Sequence, residues 1–340
     1  MPHQLQPAGS REKREWGVEL RKPFLVALIL VFVDFFVSAE PEKNNDFSFS
    51  FAASIGLLSG ASEEIVYRDD YSTEKLSQLI WEIKPLAYAG FDLRYIWVGK
   101  EYGSNFFTNV SFKFGFQGNT GLMEDRDWKD YQNPGNLTDY SVHDNTTRAA
   151  FLLDTAIGGS IKLSDESQLK LFISYSYMYF SWAAYGGSFL YPGANGHFFE
   201  PDSSKLCGTY KQDWNILSPG VAFHWALNRI LNIEISLKVS PFIWCRAEDD
   251  HVLISTVFND NLAGGTFMEP GLIFSFKPVS FLSLEIPFSY RYISDTRGNT
   301  VTNKPGRPPK EEGYIGGAGF AAFNVGITLK FNLTQSRWFN

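Results

Sequence analysis

Hydrophobic and polar residues alternate one by one through most of this chain. Residues 47–51 read FSFSF, Phe against Ser. In VSFKFGFQ, Val110, Phe112, Phe114 and Phe116 point one way and Ser111, Lys113, Gly115 and Gln117 the other. Leu169, Leu171, Ile173, Tyr175, Tyr177 and Tyr179 share a face, and LNIEISLKVS from Leu231 sets apolar odd positions against Asn232, Glu234, Ser236 and Lys238. Leu282, Leu284, Ile286, Phe288, Tyr290 and Tyr292 do the same against Ser283, Glu285, Ser289 and Arg291. Such alternation predicts half-buried β-strands.

Two architectures produce that pattern. A sandwich buries the apolar face between sheets; an outer-membrane barrel turns it to lipid and keeps the polar face in a wet lumen. The charges on the polar faces (Lys113, Lys170, Glu234, Lys238, Glu285, Arg291) and the aromatic residues ending the apolar faces favour the barrel. Short turns are predicted near 98–104, 164–168, 226–230 and 277–280. Longer loops are predicted near 68–74, 119–147, 192–207, 246–263 and 294–315. Nine connections, alternately short and long, imply a ten-stranded antiparallel transmembrane β-barrel with long extracellular loops. Pro287 lies inside a predicted strand, where it removes a ladder hydrogen bond.

The ends and the composition add compartment. Arg11, Lys13, Arg14, Arg21 and Lys22 precede an apolar run of about 15 residues, short of the roughly 20 a spanning helix needs. Val37-Ser38-Ala39 supplies small residues for cleavage, so 1–39 reads as a signal peptide, 40–46 as a linker and 47–340 as the barrel. A net charge of −7 argues against nucleic acid as a partner, and aromatics at 16% suit a β-rich chain with an aromatic surface. Cys207 and Cys245 form no CxxC, and whether they pair is left open. No zinc ligand set, glycine-rich phosphate loop or Ser-His-Asp spacing is visible, so neither metal nor cofactor is expected.

Two polar constellations stand out. MEDRDWKDYQNPGNLTDYSVHDN, 123–145, is densely acidic. Carrying the lumenal parity of 110–117 forward turns Asp125 and Asp127 inward, side by side. Neighbouring carboxylates on one face raise each other's proton affinity and can hold a polarised water. The plainer reading is an acidic loop pairing with lumenal Lys and Arg. In CRAEDDHV, Asp249 and His251 are two apart, hence on one face of an extended chain, where a carboxylate favours the charged imidazole. The plainer reading there is a surface charge cluster. Parity counted from Leu231 turns Asp249 toward lipid, so an inward pair requires a β-bulge or a turn out of the sheet between about 240 and 248, and Pro241 suits a bulge. His143, flanked by Asp139 and Asp144, is a second candidate base.

Taken together, these stretches resemble the omptins, ten-stranded outer-membrane proteases of Gram-negative bacteria, from about Ser50 to Phe331. DRDWKDYQNPG followed by LTDYSVHDNT is similar to the omptin acidic loop and its signature Trp-Thr-Asp-x-Ser-x-His-Pro-x-Thr, with Leu137 in place of Trp and Asp144 in place of Pro. AYGGSFLY (184–191), LLSGASEEIVY, KLSQLIWEI, TYKQDW and AEDDH follow in the family's order.

The resemblance implies an endopeptidase in which Asp125 and Asp127 position a water and Asp249 and His251 take its proton. It implies polypeptide substrates with basic residues: Glu64 would meet the basic side chain before the cut and Asp139 the one after it. Ala247 stands where a second pocket acid is expected, and Glu248 beside it either substitutes for it or points away, so the basic preference is expected to survive in weakened form. Tyr177 and Tyr179 occupy the positions of a lipid-binding Glu and Arg, so outer-membrane lipid surrounds the barrel but dependence on lipopolysaccharide is not expected. The alternative is a non-enzymatic barrel acting as adhesin, receptor or small pore. The site would lie on the extracellular side.

Overall fold

The computed structural model describes residues 47–69, 74–98, 104–191 and 197–334. The signal-peptide and linker expectations fall outside them.

Ten strands wind up and down: β1 (Phe47–Tyr67), β2 (Lys75–Val98), β3 (Ser104–Gly115 and Gly118–Asp127), β4 (Asp139–Lys162) and β5 (Ser167–Tyr191). They continue as β6 (Leu206–Ala226), β7 (Leu231–Ser240 and Phe242–His251), β8 (Thr256–Ala263 and Phe267–Val279), β9 (Leu282–Asn303) and β10 (Lys310–Thr334). Each pairs antiparallel with its neighbours, and β1 closes the ring on β10 from Ser48↔Thr334 to Tyr67↔Ile315. Closure leaves no edge strand, which a span through hydrocarbon requires because nothing there can satisfy a free backbone group. Three residues, His197–Phe199, add a short strand to the end of β5.

The predicted alternation holds through the lower half of the barrel. Ile55, Phe91, Phe114, Ile157, Ile173 and Ile235 point outward and are exposed, as do Ile327 and Leu329 of β10. A continuous exposed apolar belt of this kind is stable only against lipid. Trp97, Phe106, Trp225 and Phe281 edge it at the end of the short turns. Inside, Arg291 binds Asp154 at 3.0 Å and also Glu269, while Lys238 pairs with Glu269 at 2.8 Å and Lys330 with Glu285 at 2.9 Å. Pro287 faces this lumen opposite Gly326, where the β9–β10 ladder skips two pairs, so its missing N–H breaks little.

The strands outrun the membrane. β2 has 24 residues, roughly 80 Å of chain at about 3.3 Å per residue, whereas about ten residues cross the hydrocarbon. Above the belt the outward positions become charged, as with the Glu82–Lys84 and Glu124–Arg126 pairs. The loops predicted over 119–147, 246–263 and 294–315 are therefore mostly strand, and the true connections are 128–138, 252–255 and 304–309. With water on the outside and a wet cleft within, these segments lose the apolar–polar contrast that marks a strand in sequence.

Between the charged lower lumen and the upper cleft lies an aromatic plug. Trp81, Trp182 and Tyr210 stack with ring centroids 5.5–6.2 Å apart, and Phe180 packs on Trp182 at 5.2 Å and on Phe320 at 5.3 Å. All five are inaccessible or nearly so. A plugged lumen excludes an open channel through the described barrel and gives the cleft a rigid, dry floor. Cys207 and Cys245 are both buried free thiols.

Irregularities in β7 and β3 turn the predicted site residues toward the cleft. The chain breaks between Ser240 and Phe242, and the inward positions change from Asn232 and Ser240 to Ile243, Cys245, Ala247 and Asp249. In β3, the gap after Gly115 and the register shift at Asn119/Gly121 cancel, returning Met123, Asp125 and Asp127 to the inner face. Gly121 makes that second shift with φ +110°, a conformation open in practice to glycine alone, and its neighbour Leu122 donates its N–H to Glu82 Oε2 at 3.0 Å. A Cβ on residue 121 would sit 2.5 Å from the same Glu82 oxygen. Gly121→Ala is expected to destabilise the detergent-folded barrel by about 1–3 kcal/mol in urea unfolding; an unchanged midpoint contradicts the bulge's role.

Candidate functional site

The cleft above the plug gathers the predicted residues from strands on opposite sides of the ring. β7 carries Asp249 and His251 to the inner face two residues apart, and the imidazole Nε2 is bound to Asp249 Oδ2. Phe258 of the facing strand packs edge-on against the ring at 5.2 Å. The backbone turns at once beyond His251, through a 3₁₀ turn at Val252–Ile254, so the pair sits at the rim.

β3 brings Asp125 and Asp127 to the inner face opposite. Asp125 accepts a long hydrogen bond from Ser77 Oγ at 3.4 Å, and Asp127 is salt-bridged to Lys129 Nζ at 2.6 Å. The two halves feel each other. Burial disfavours the His251 imidazolium, but Asp249, with Asp125 and Asp127 across the cleft, outweighs it and raises the group to about 9. Burial and then Asp127 raise Asp125 to about 7, held from going further by His251 and Lys129. A shared proton and a water between these groups is the chemistry such an arrangement can support: an ordered acceptor on one side, carboxylates on the other.

Glu64 lies on the inner face of β1, buried, with Oε2 lacking any hydrogen-bond partner. Burial and then the carboxylates of Asp249, Asp260 and Asp125 drive its proton affinity well above the ordinary carboxylate range. Three other expectations change. Glu248 does not substitute for the missing acid at Ala247: adjacent strand residues face opposite sides, so with Asp249 inward Glu248 points out of the barrel and pairs with Lys211 at 2.5 Å. Asp139 is not a free acid, because Lys129 Nζ bridges it at 2.9 Å to Asp127. His143 is buried, with Nδ1 2.6 Å from the Gly186 carbonyl, Nε2 2.9 Å from Ser141 Oγ and Phe189 against its ring. Both nitrogens are occupied and burial lowers its basicity, so it is a structural histidine.

Sequence reasoning missed two residues. Lys129 lies two beyond Asp127 on the same strand-like stretch, a spacing that signals a shared side. Asp260 fell inside a presumed loop; pairing the hairpin about 252–255 sets it directly opposite Ala247.

The omptin family model matches residues 45–333. The plasminogen activator of Yersinia pestis is 26% identical over 258 residues, covering 75% of this chain and 79% of its own. The outer membrane protease IcsP of Shigella flexneri is 27% identical over 262 residues, covering 73% and 78%. In fold, the crystal structure of the outer membrane protease OmpT from Escherichia coli superposes with a TM-score of 0.76 over 84% of this chain and 97% of that one, at 20% identity.

Since Asp249 is the largest force holding the proton on His251, the imidazole's NMR titration should lie well above the usual 6.5 and drop toward it in Asp249→Asn. A His251 titration at or below 6.5 in the native protein contradicts the geometry.

Proposed function

The chain belongs to the omptin family, and from that premise we propose that it is an outer-membrane protease whose mouth hydrolyses peptide bonds beside basic residues with a water activated by Asp249–His251 and Asp125–Asp127. The observation that carries this reading is geometric: Asp249, bound to His251, and the Asp125–Asp127 pair are turned inward from strands on opposite sides of one cleft. Water held between them loses its proton to His251 and attacks the scissile carbonyl, while Asp249 stabilises the imidazolium and Asp125 orients the attacking oxygen; the imidazolium then returns that proton to the leaving amine as the C–N bond breaks, releasing acid and amine. No side chain needs to bond to the substrate. General-base assistance of this kind contributes about 10²–10⁴-fold.

The resting site holds its proton, because His251 is raised. A basic side chain arriving beside Glu64 and Asp249 brings positive charge to the carboxylates that favour imidazolium, and so releases the free base where substrate is bound. The acidic limb of kcat should therefore lie below that of kcat/KM.

On the side after the cut, Lys129 already neutralises Asp139, so a basic residue there should gain little. Outside the barrel, Tyr177 donates its hydroxyl to the Asp213 carboxylate on the neighbouring strand. Tyr177 and Tyr179 stand at the positions where the resemblance expects the lipid-binding Glu and Arg, and a phenol cannot bind phosphate as a guanidinium does, which supports activity without lipopolysaccharide.

A panel of peptides on detergent-folded protein tests this. His251→Ala should lose about 10²–10⁴-fold in kcat, a basic residue before the cut should be preferred, one after it should matter little, and added lipopolysaccharide should not be required. Undiminished hydrolysis by His251→Ala would sink the reading and leave a non-enzymatic barrel.

A further inference from the structure

The pocket around Glu64 has an acid that neither the resemblance nor the family match assigns. Ala247 and Asp260 are direct partners in the β7–β8 ladder, and both face inward and are buried. Directly opposed residues in an antiparallel pair have Cβ atoms about 4.5–5.5 Å apart. A carboxylate on Asp260 therefore reaches the space an acid on residue 247 would have filled.

Its surroundings are those of a binding group. Asp260 leans over the inner face of β10, where Gly316 leaves room: a Cβ there would lie 2.7 Å from both Asp260 Oδ1 and Thr300 Oγ1. Glu64 is paired with Ala318, two residues along the same strand. Two residues of strand are about 6.6 Å, so the two carboxyls flank one small-residue floor. Asp260 accepts a hydrogen bond from Thr300 Oγ1 at 2.6 Å. Among the described residues neither Glu64 nor Asp260 has an ion-pair partner. The second, independent sign of a ligand is Glu64 Oε2, buried and unpartnered in this space.

Buried carboxyls without a cation are unstable as anions, and burial raises Asp260 to about 6, with Asp249 adding to it. A site so built is completed by a positive group from outside. A guanidinium, planar and forked, can meet two carboxylates at once, better than the point charge of an ammonium.

We propose that Asp260 and Glu64 together bind the basic side chain before the cut, the second acid of the pocket having moved from position 247 to its cross-strand partner. The assignment rests on the protease reading above and adds to it a residue and an order of preference, arginine over lysine over glutamine.

The test compares kcat/KM for peptides with Arg, Lys or Gln before the cut, in the native barrel, Asp260→Asn, Glu64→Gln and Asp260→Asn/Ala247→Asp. Hydrogen bonds to a charged group predict that Asp260→Asn cuts the Arg-over-Gln ratio by about tenfold or more. Restoring an acid across the ladder in the double variant should recover most of it. Folding of each variant is read from the heat-induced shift in gel mobility, and binding of benzamidine, a small guanidinium-like probe, supplies a readout independent of turnover. A ratio and a benzamidine affinity that Asp260→Asn leaves unchanged, while Glu64→Gln lowers both, overturn the role of Asp260 and spare the protease reading. Equal rates on Arg and Gln in the native protein overturn the basic specificity itself.

Discussion

The closed ladder is the constraint on which everything else in this barrel depends. Hydrocarbon offers backbone groups no partner, so β1 must find β10 and every strand between must pair along its length. Pairing enforces a period of two, and a period of two means that one inserted residue turns every following side chain to the other face. Function in the upper cleft is therefore set by a few irregular positions. Pro241 cannot donate to the ladder, and the break there puts Asp249 and His251 inside instead of outside. Gly121 allows the second shift in β3 that returns Asp125 and Asp127 to the cleft.

The aromatic plug gives those irregularities their consequence. Trp81, Trp182, Tyr210 and Phe180 fill the barrel's waist, separating a charged lower lumen with internal ion pairs from an upper cleft with an excess of acid. Below the plug, carboxylates have cations. Above it, Glu64, Asp125 and Asp260 have mostly one another, and burial raises all three. That imbalance both holds a proton at His251 and attracts positive side chains, so chemistry and specificity share one electrostatic cause. Lys129 brings a cation to this region, and it falls on Asp127 and Asp139 and not on the buried pocket.

How much of this was legible in the sequence follows from where water lies. Phe106 to Phe116 and Leu169 to Tyr179 advertise their strands because one face meets lipid and the other the lumen. Above the membrane both faces are wet, so the upper strands read as loops, and Asp260 was lost inside one of them. Parity carried forward from 110–117 turns Asp125 and Asp127 inward, where they lie, because the two irregularities between cancel. The inward turn of Asp249 needed the break that Pro241 makes. Of the two readings of Glu248, the alternation decides: with Asp249 inward its neighbour must point away from the pocket. Lys129 was overlooked because an ion pair depends on where a flexible side chain reaches, which a one-dimensional pattern does not encode.

At the centre of the account is a single water served by both halves of the mouth. The most direct measurement is a double-variant cycle on kcat with Asp125→Asn and His251→Ala. Groups acting on one water lose their effect together, so the double variant should be about as slow as either single variant. Losses that multiply in full would mean that the two sides act independently, and the shared water would be wrong.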